Sequence, residues 1–209
     1  FGDGKPSVSG IVTNLYAIST THIYTGTENT IFIANLIITD GQNNRATDTY
    51  RVKIRESGNK AVETDVAVDN ALWYLHTQQT RLIKNGTECG YWQSGSYYVS
   101  PTSAAIEAFG NTGRLPGGGR DEDPYIETVE RGFNDLWTRC KAVTIGTQTA
   151  GNPDTNGNGL GIGLSSGEQT YEIGQMMMVI VGSRQPERIT ITGPQNVINR
   201  TYRDILQDM

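Results

Sequence analysis

The chain has 209 residues, enough for one large or two small domains, and a formal net charge of −5. No basic stripe stands out, which argues against nucleic acid as a partner, and no apolar run approaches the roughly 20 residues that a membrane span needs. Hydrophobic residues make up 36% and glycine is abundant at 25 residues, a composition that favours loops, exposed strands and modest cores.

Residues 1–56 read as β. Thr30–Thr39 is a β-branched run, Asp40-Gly41 opens a turn that Asn43 and Asn44 extend, and residues 46–54 alternate. Tyr50, Val52 and Ile54 fall on one face, and Arg51, Lys53 and Arg55 on the other. Two such runs joined by a Gly-bearing connection predict a β-hairpin with one packed and one solvated face. Residues 57–60, Ser-Gly-Asn-Lys, read as a linker, after which Thr64 or Asp65 is expected to cap a helix.

From residue 61 the period becomes helical. Val62, Val66, Asn70 and Trp73 form one stripe, widened by Leu72 and Leu75. An insertion follows Gln78-Gln79, then a Gly90-Tyr-Trp92 turn and a small-residue helix from Pro101 to Phe109, stopped by Gly110 and Pro116. Asp123-Pro124 predicts a capped helix start, with Ile126, Val129, Phe133 and Leu136 or Trp137 as its apolar stripe. Residues 147–169 read as a long polar loop. A helix from Tyr171 to Ser183 carries Met176-Met-Met-Val-Ile-Val181, apolar nearly all round and expected to be deeply buried. A last helix is expected from about Arg200.

Ala67–Leu75 can be laid on Thr128–Leu136, and Thr201–Met209 on both. The spacing gives a helical unit of roughly 60 to 75 residues, and such units bury a core only by stacking on neighbours. Phe1 is not an initiator Met, and Met209 falls inside a helical pattern, so the chain is expected to be an internal piece of a longer protein.

Two family resemblances follow. Phe1-Gly-Asp-Gly4, His22-Ile-Tyr24 with Gly26, and Leu36-Ile-Ile-Thr-Asp-Gly41 resemble, in order, the motifs of a PKD domain. That implies a partial immunoglobulin-like β-sandwich over 1–56, a spacer or adhesion module of extracellular and cell-surface proteins. Leu72-Trp73, Gln78-Gln79 and Gly90-Tyr-Trp92 resemble a stretched QW motif of the squalene-cyclase and prenyltransferase α/α-toroids, and residues 123–136 resemble the outer helix of the next repeat. That implies α/α-hairpin repeats over 61–209, continuing beyond them. The fold class expected is therefore multidomain, β then α.

The chemistry those families use is not complete here. The cyclase acid, Asp-x-Asp-Asp, has its nearest match in Asp121-Glu-Asp-Pro124, which lacks the final Asp and also reads as acids at a helix N-terminus. The prenyltransferase zinc set of Asp, Cys and His is not assembled by His76 and Cys89. Ser166-Gly-Glu-Gln169 resembles the thioester motif of complement-like toroids but has Ser in place of the essential Cys. Two histidines leave little for general-base catalysis.

Two sites remain. Asp154-Thr-Asn-Gly-Asn-Gly159 fits the opening of a calcium loop, with Asp154, Asn156 and Asn158 as oxygen donors. Its twelfth position is Ser165, so a carboxylate must come from elsewhere, and Glu168 is the candidate; a plain Asn/Gly turn fits the same residues. Tyr91, Trp92, Tyr97 and Tyr98 would line a groove for a ligand, or pack a repeat core. Cys89 and Cys140 are either one disulfide or two free thiols, and Asn85 and Asn199 open glycosylation sequons.

The expected function is a structural, adhesive or surface-assembly role in a secreted or cell-surface modular protein, with calcium as the one candidate cofactor. The expected partners are other copies of the chain or cell-surface proteins and glycans. The alternatives are a toroid enzyme on a polyprenyl or polysaccharide substrate, with its catalytic residues outside this sequence, and a carbohydrate- or peptide-binding module.

Overall fold

The β-branched run Ile31–Thr39 forms strand β1 and Arg45–Lys53 forms β2, paired antiparallel with Ile31 opposite Lys53 and Thr39 opposite Arg45. The computed structural model describes residues 1–13, 20–119, 123–146, 148–165 and 169–209. They divide into two compact units, Phe1–Asp69 and Asn70–Met209.

In the first unit the hairpin turn is built by Asp40. Its carboxylate accepts the backbone N–H groups of Gln42 and Asn44 and the Asn44 side-chain amide, while Asn43 takes a positive φ of 69°. Phe32, Ala34, Val52 and Ile54 are half-buried, whereas Ile31, Ile33, Leu36, Ile37 and Ile38 are exposed. The two N-terminal motifs meet. Asp3 lies 2.8 Å from His22 Nε2, Phe1 stacks on His22 at 3.8 Å, and Tyr24 stands edge-on to His22 and stacks on Phe32. Gly2 must be glycine, because a Cβ there would sit 2.1 Å from the Ile33 carbonyl oxygen. Among the described residues this unit carries one two-stranded sheet.

Helix α1, Lys60–Gln78, begins in the first unit and ends in the second. Of its expected stripe Val62 and Leu72 are buried, but Val66 and Trp73 are 45% and 47% exposed. Then come strands β3, Thr80–Lys84, and β4, Thr87–Tyr91, helix α2, Val99–Asn111, helix α3, Pro124–Thr138, strands β5, Cys140–Val143, and β6, Gly161–Leu164, helix α4, Gln169–Gly182, and helix α5, Tyr202–Asp208. The order α1-β3-β4-α2 recurs as α3-β5-β6-α4, and α5 follows as α3 followed α2.

The helices of each pair are therefore joined by a β-hairpin, not by a turn. Residues 80–91, read from sequence as an insertion and a Gly-x-Trp turn, are the first hairpin, and β6 lies inside what reads as the 147–169 loop. Strands of five and four residues, half of them Gly or polar, give too short a period to register against the flanking helices.

The core of the second unit lies where α2 packs on α3 and α4, and α3 on β4. Phe109, Val129, Phe133, Leu136, Trp137, Leu164, Met176 and Ile205 are essentially sealed from solvent. The Asp123 cap holds as the sequence predicts, with Oδ1 accepting the Tyr125 N–H at 2.9 Å. Helix α4 is not buried all round: Met176, Val179 and Ile180 face the core, while Met178 and Val181 are 58% and 62% exposed. Mixed helix and strand content is thus established. No helix among the described residues is long and apolar enough to cross a membrane.

Candidate functional site

The QW-like residues build a joint. Trp92 is buried, its indole N–H donates to the Leu75 carbonyl in the last turn of α1 at 2.9 Å, and its backbone N–H donates to Thr102 Oγ1 of α2. Gln79 is buried and donates from Nε2 to the Thr128 carbonyl of α3 at 2.8 Å. Gly90, paired with Arg81 across the hairpin, lies against this side chain, and a Cβ there would come to 2.5 Å from the Gln79 amide carbon. The Gln-Gly-Trp spacing therefore locks a helix end, a hairpin and the next helix together. Trp92 belongs to this core and not to a ligand-binding rim.

The face of β3/β4 toward α3 is a polar seam. Lys84 Nζ donates to Asp135 Oδ1 at 2.6 Å and to Thr138 Oγ1 at 2.9 Å, and Arg139 Nε reaches the other Asp135 oxygen at 2.5 Å. The Asp135 side chain is wholly buried. Arg131 bridges Glu88 and Glu127, and Asn134 donates to the Glu88 carbonyl. His76 Nδ1 lies 2.6 Å from Thr128 Oγ1 and its ring stacks on Trp73. Burial, and then the Arg81 charge, hold the His76 pKa below the usual 6.5.

The second seam joins the β5/β6 connection to α5. Asp154 Oδ1 and Asn156 Oδ1 converge on one donor, the Asn158 N–H, each at 3.1 Å, and Asp154 Oδ2 accepts the Gly159 N–H at 2.9 Å. The carboxylate that comes to this loop is Asp208 of α5. Its oxygens accept the Asn156 and Asn158 amides at 2.9 to 3.3 Å and the Arg200 guanidinium at 2.5 Å, with a side chain only 3% exposed. Gln207 adds a bond to Thr155 Oγ1. Asp154, Asn156 and Asn158 are thus linked within one loop, while Glu168 lies outside the described residues. The repeat alignment held the missing signal: laying Thr128–Leu136 on Thr201–Met209 sets Asp208 on Asp135. Among the described residues no three His, Cys, Asp or Glu side chains gather as metal ligands, so the set here is two carboxylates and two amides.

The remaining candidates separate. Asp123 caps α3 and pairs with Arg114 at 3.1 Å, while Asp121 and Glu122 lie outside the described residues, as does Ser166-Gly-Glu168 of the thioester-like stretch. Cys89 and Cys140 are both free and buried, so the disulfide expectation is corrected. They occupy the hairpins of successive repeats. Burial raises the Cys89 thiol, aided by the Asp135 charge, and pushes Cys140 up to about 12. Neither is a ready thiolate. Tyr91 and Tyr98 meet edge-to-face at 5.3 Å, with Arg139 over both rings. Tyr97 is 44% exposed and lines an open cleft with Tyr171, an aromatic the sequence reading left aside. No family model matches the chain, and neither a curated protein nor a solved structure resembles it.

Proposed function

We propose that the chain serves a structural and adhesive role in a secreted or cell-surface modular protein. In this reading a PKD-like, immunoglobulin-like unit leads into a toroid-like array of helix pairs, and the faces left open are covered by other copies or by surface proteins and glycans. One observation carries it: five polar or charged side chains of the second unit, His76, Gln79, Lys84, Asp135 and Asp208, are engaged in joining successive helix and hairpin elements. Repeat arrays gain stability from such nearest-neighbour interfaces. The exposed apolar residues Met178, Val181, Ile189 and Ile191 supply surface for a further neighbour.

Calcium belongs to the same proposal. Asp154, Asn156, Asn158 and Asp208 would hold it, all hard oxygen donors of the kind this ion prefers. The bound ion would supply positive charge between Asp154 and Asp208, tying the 154–159 loop to α5.

Sedimentation velocity over a wide concentration range, with calcium and with a chelator, tests the reading. Discrete assemblies of the chain, and a melting temperature raised by calcium, are the expected result. A monomer at every concentration with an unchanged melting curve would count against both parts. Turnover of a polyprenyl or polysaccharide substrate would replace the structural reading with an enzymatic one.

A further inference from the structure

An open cleft of about 370 Å³ lies between the N-terminal ends of α2 and α4. Ser94, Tyr97, Ser100, Pro101, Tyr171 and Gln175 line it, and among the described residues no charged side chain does. Tyr97 and Tyr171 are 44% and 60% exposed, so each offers ring surface to an occupant. The polar groups are short of partners. Gln175 Nε2 donates to the Tyr171 hydroxyl at 2.9 Å, while its Oε1 is covered and has no partner. Whichever way that amide is turned, one of its two polar ends is left over.

Directly behind Ser100 lies Glu172, fully buried in the first turn of α4. Its Oε1 accepts the Ser100 N–H at 3.3 Å and the Ser100 hydroxyl at 3.4 Å, and its Oε2 has no partner. With its proton turned toward Glu172, Ser100 offers lone pairs to a donor arriving in the cleft. The described lining offers no ion pair to a phosphate, carboxylate or ammonium group, and two exposed rings flanking hydroxyl and amide groups suit a flat ring with apolar C–H faces and polar edges.

We propose that this cleft binds a neutral saccharide unit, with Tyr97 and Tyr171 against the sugar faces, Ser100 accepting from a sugar hydroxyl and the second Gln175 amide N–H donating to another. The site goes beyond the structural role, since it requires neither self-assembly nor calcium.

The test is a screen of the 209-residue chain against an array of neutral glycans, followed by calorimetry with the best-bound oligosaccharide. Tyr97→Ala and Tyr171→Ala are each expected to weaken binding by about tenfold, the scale of one lost ring contact. Tyr171→Phe keeps the ring and is expected to retain most of the affinity. Tyr74→Ala, at an aromatic 63% exposed and outside the cleft lining, is expected to change nothing. Both cleft tyrosines are surface residues, and circular dichroism melting checks that each variant folds. Absence of binding to any neutral glycan overturns the proposal, as does binding that the cleft variants leave unchanged. Preferential binding of a peptide library in the same cleft would also overturn it. Binding by a chain that stays monomeric would support this site while the assembly reading failed.

Discussion

The two seams of the second unit solve one problem with different chemistry. Each presents a nearly sealed carboxylate, Asp135 on α3 or Asp208 on α5, at matching positions of the repeat, and each carboxylate takes one arginine. The first hairpin then delivers a cation, Lys84, directly onto Asp135. The second delivers two neutral amides and, beside them, another acid, Asp154. A buried carboxylate is tolerated when its charge is matched. The first seam carries its cation covalently, and the second, which lacks that cation and adds Asp154, is two positive charges short by comparison. That difference is the physical argument for a divalent ion at the second seam.

Removing Asp135 tests the first half of the comparison hardest. Asp135→Ala leaves Lys84 and Arg139 without their carboxylate and is expected to cost about 3 kcal/mol or more in urea unfolding, the range for a broken buried pair. A loss below about 1 kcal/mol would mean the seam is solvated and the comparison mistaken.

Asp208→Asn should be milder in calcium-free buffer, about 1 to 2 kcal/mol, because the loop it meets is exposed and its strongest partner is one arginine. In calcium the variant should show no rise in melting temperature, where the unaltered chain does. A calcium response that survives the change would remove Asp208 from the site.

A substitution that converts the second seam into the first sharpens the contrast. Asn158→Lys is expected to place an ammonium near Asp208, raise calcium-free stability by about 1 kcal/mol, and abolish the calcium response. If the response persists, the charge-substitution argument fails even should calcium bind.

The smallest expected effect is the pH dependence of the first seam. The folded pKa of His76 is depressed, so below the usual 6.5 the unfolded chain binds its proton first. The stabilisation from neutral His76 is full above that pH and is lost as pH falls from there through the depressed folded value. His76→Gln should flatten this part of the stability profile, measured by denaturant midpoints from pH 8 to pH 5. An unchanged slope would show that His76 does not titrate differently on folding.

Helices were legible because their signals are local. Asp123-Pro124 announced α3 through a cap and a ring-fixed φ, and the 3.6-residue stripe from Ile126 to Trp137 named its buried face. The β1/β2 hairpin was legible from a β-branched run and an alternating run on either side of an Asp-Gly turn. The β3/β4 and β5/β6 hairpins were not. Gly161-Ile-Gly-Leu164 reads as loop until β5 lies beside it, where a Cβ on Gly161 would press to 2.7 Å from the Val143 side chain. By sequence Trp92 suited a repeat core more than a groove, and the Leu75 carbonyl within reach of its indole N–H places it in the core.

The sequence by itself determined the periodicities: a β-rich start, helices from residue 61, a repeat that aligns residues 67–75, 128–136 and 201–209, and an Asp-x-Asn-x-Asn-Gly loop. These depend on residues within a few positions of one another, or on copies of one pattern. Tertiary structure alone decided that Asp208 meets that loop, that Cys89 and Cys140 stay apart, and that Tyr171 and Gln175 join Tyr97 around one cleft. Those contacts join positions dozens of residues apart, and their partners are selected by how hairpins and helices pack, which no local pattern encodes.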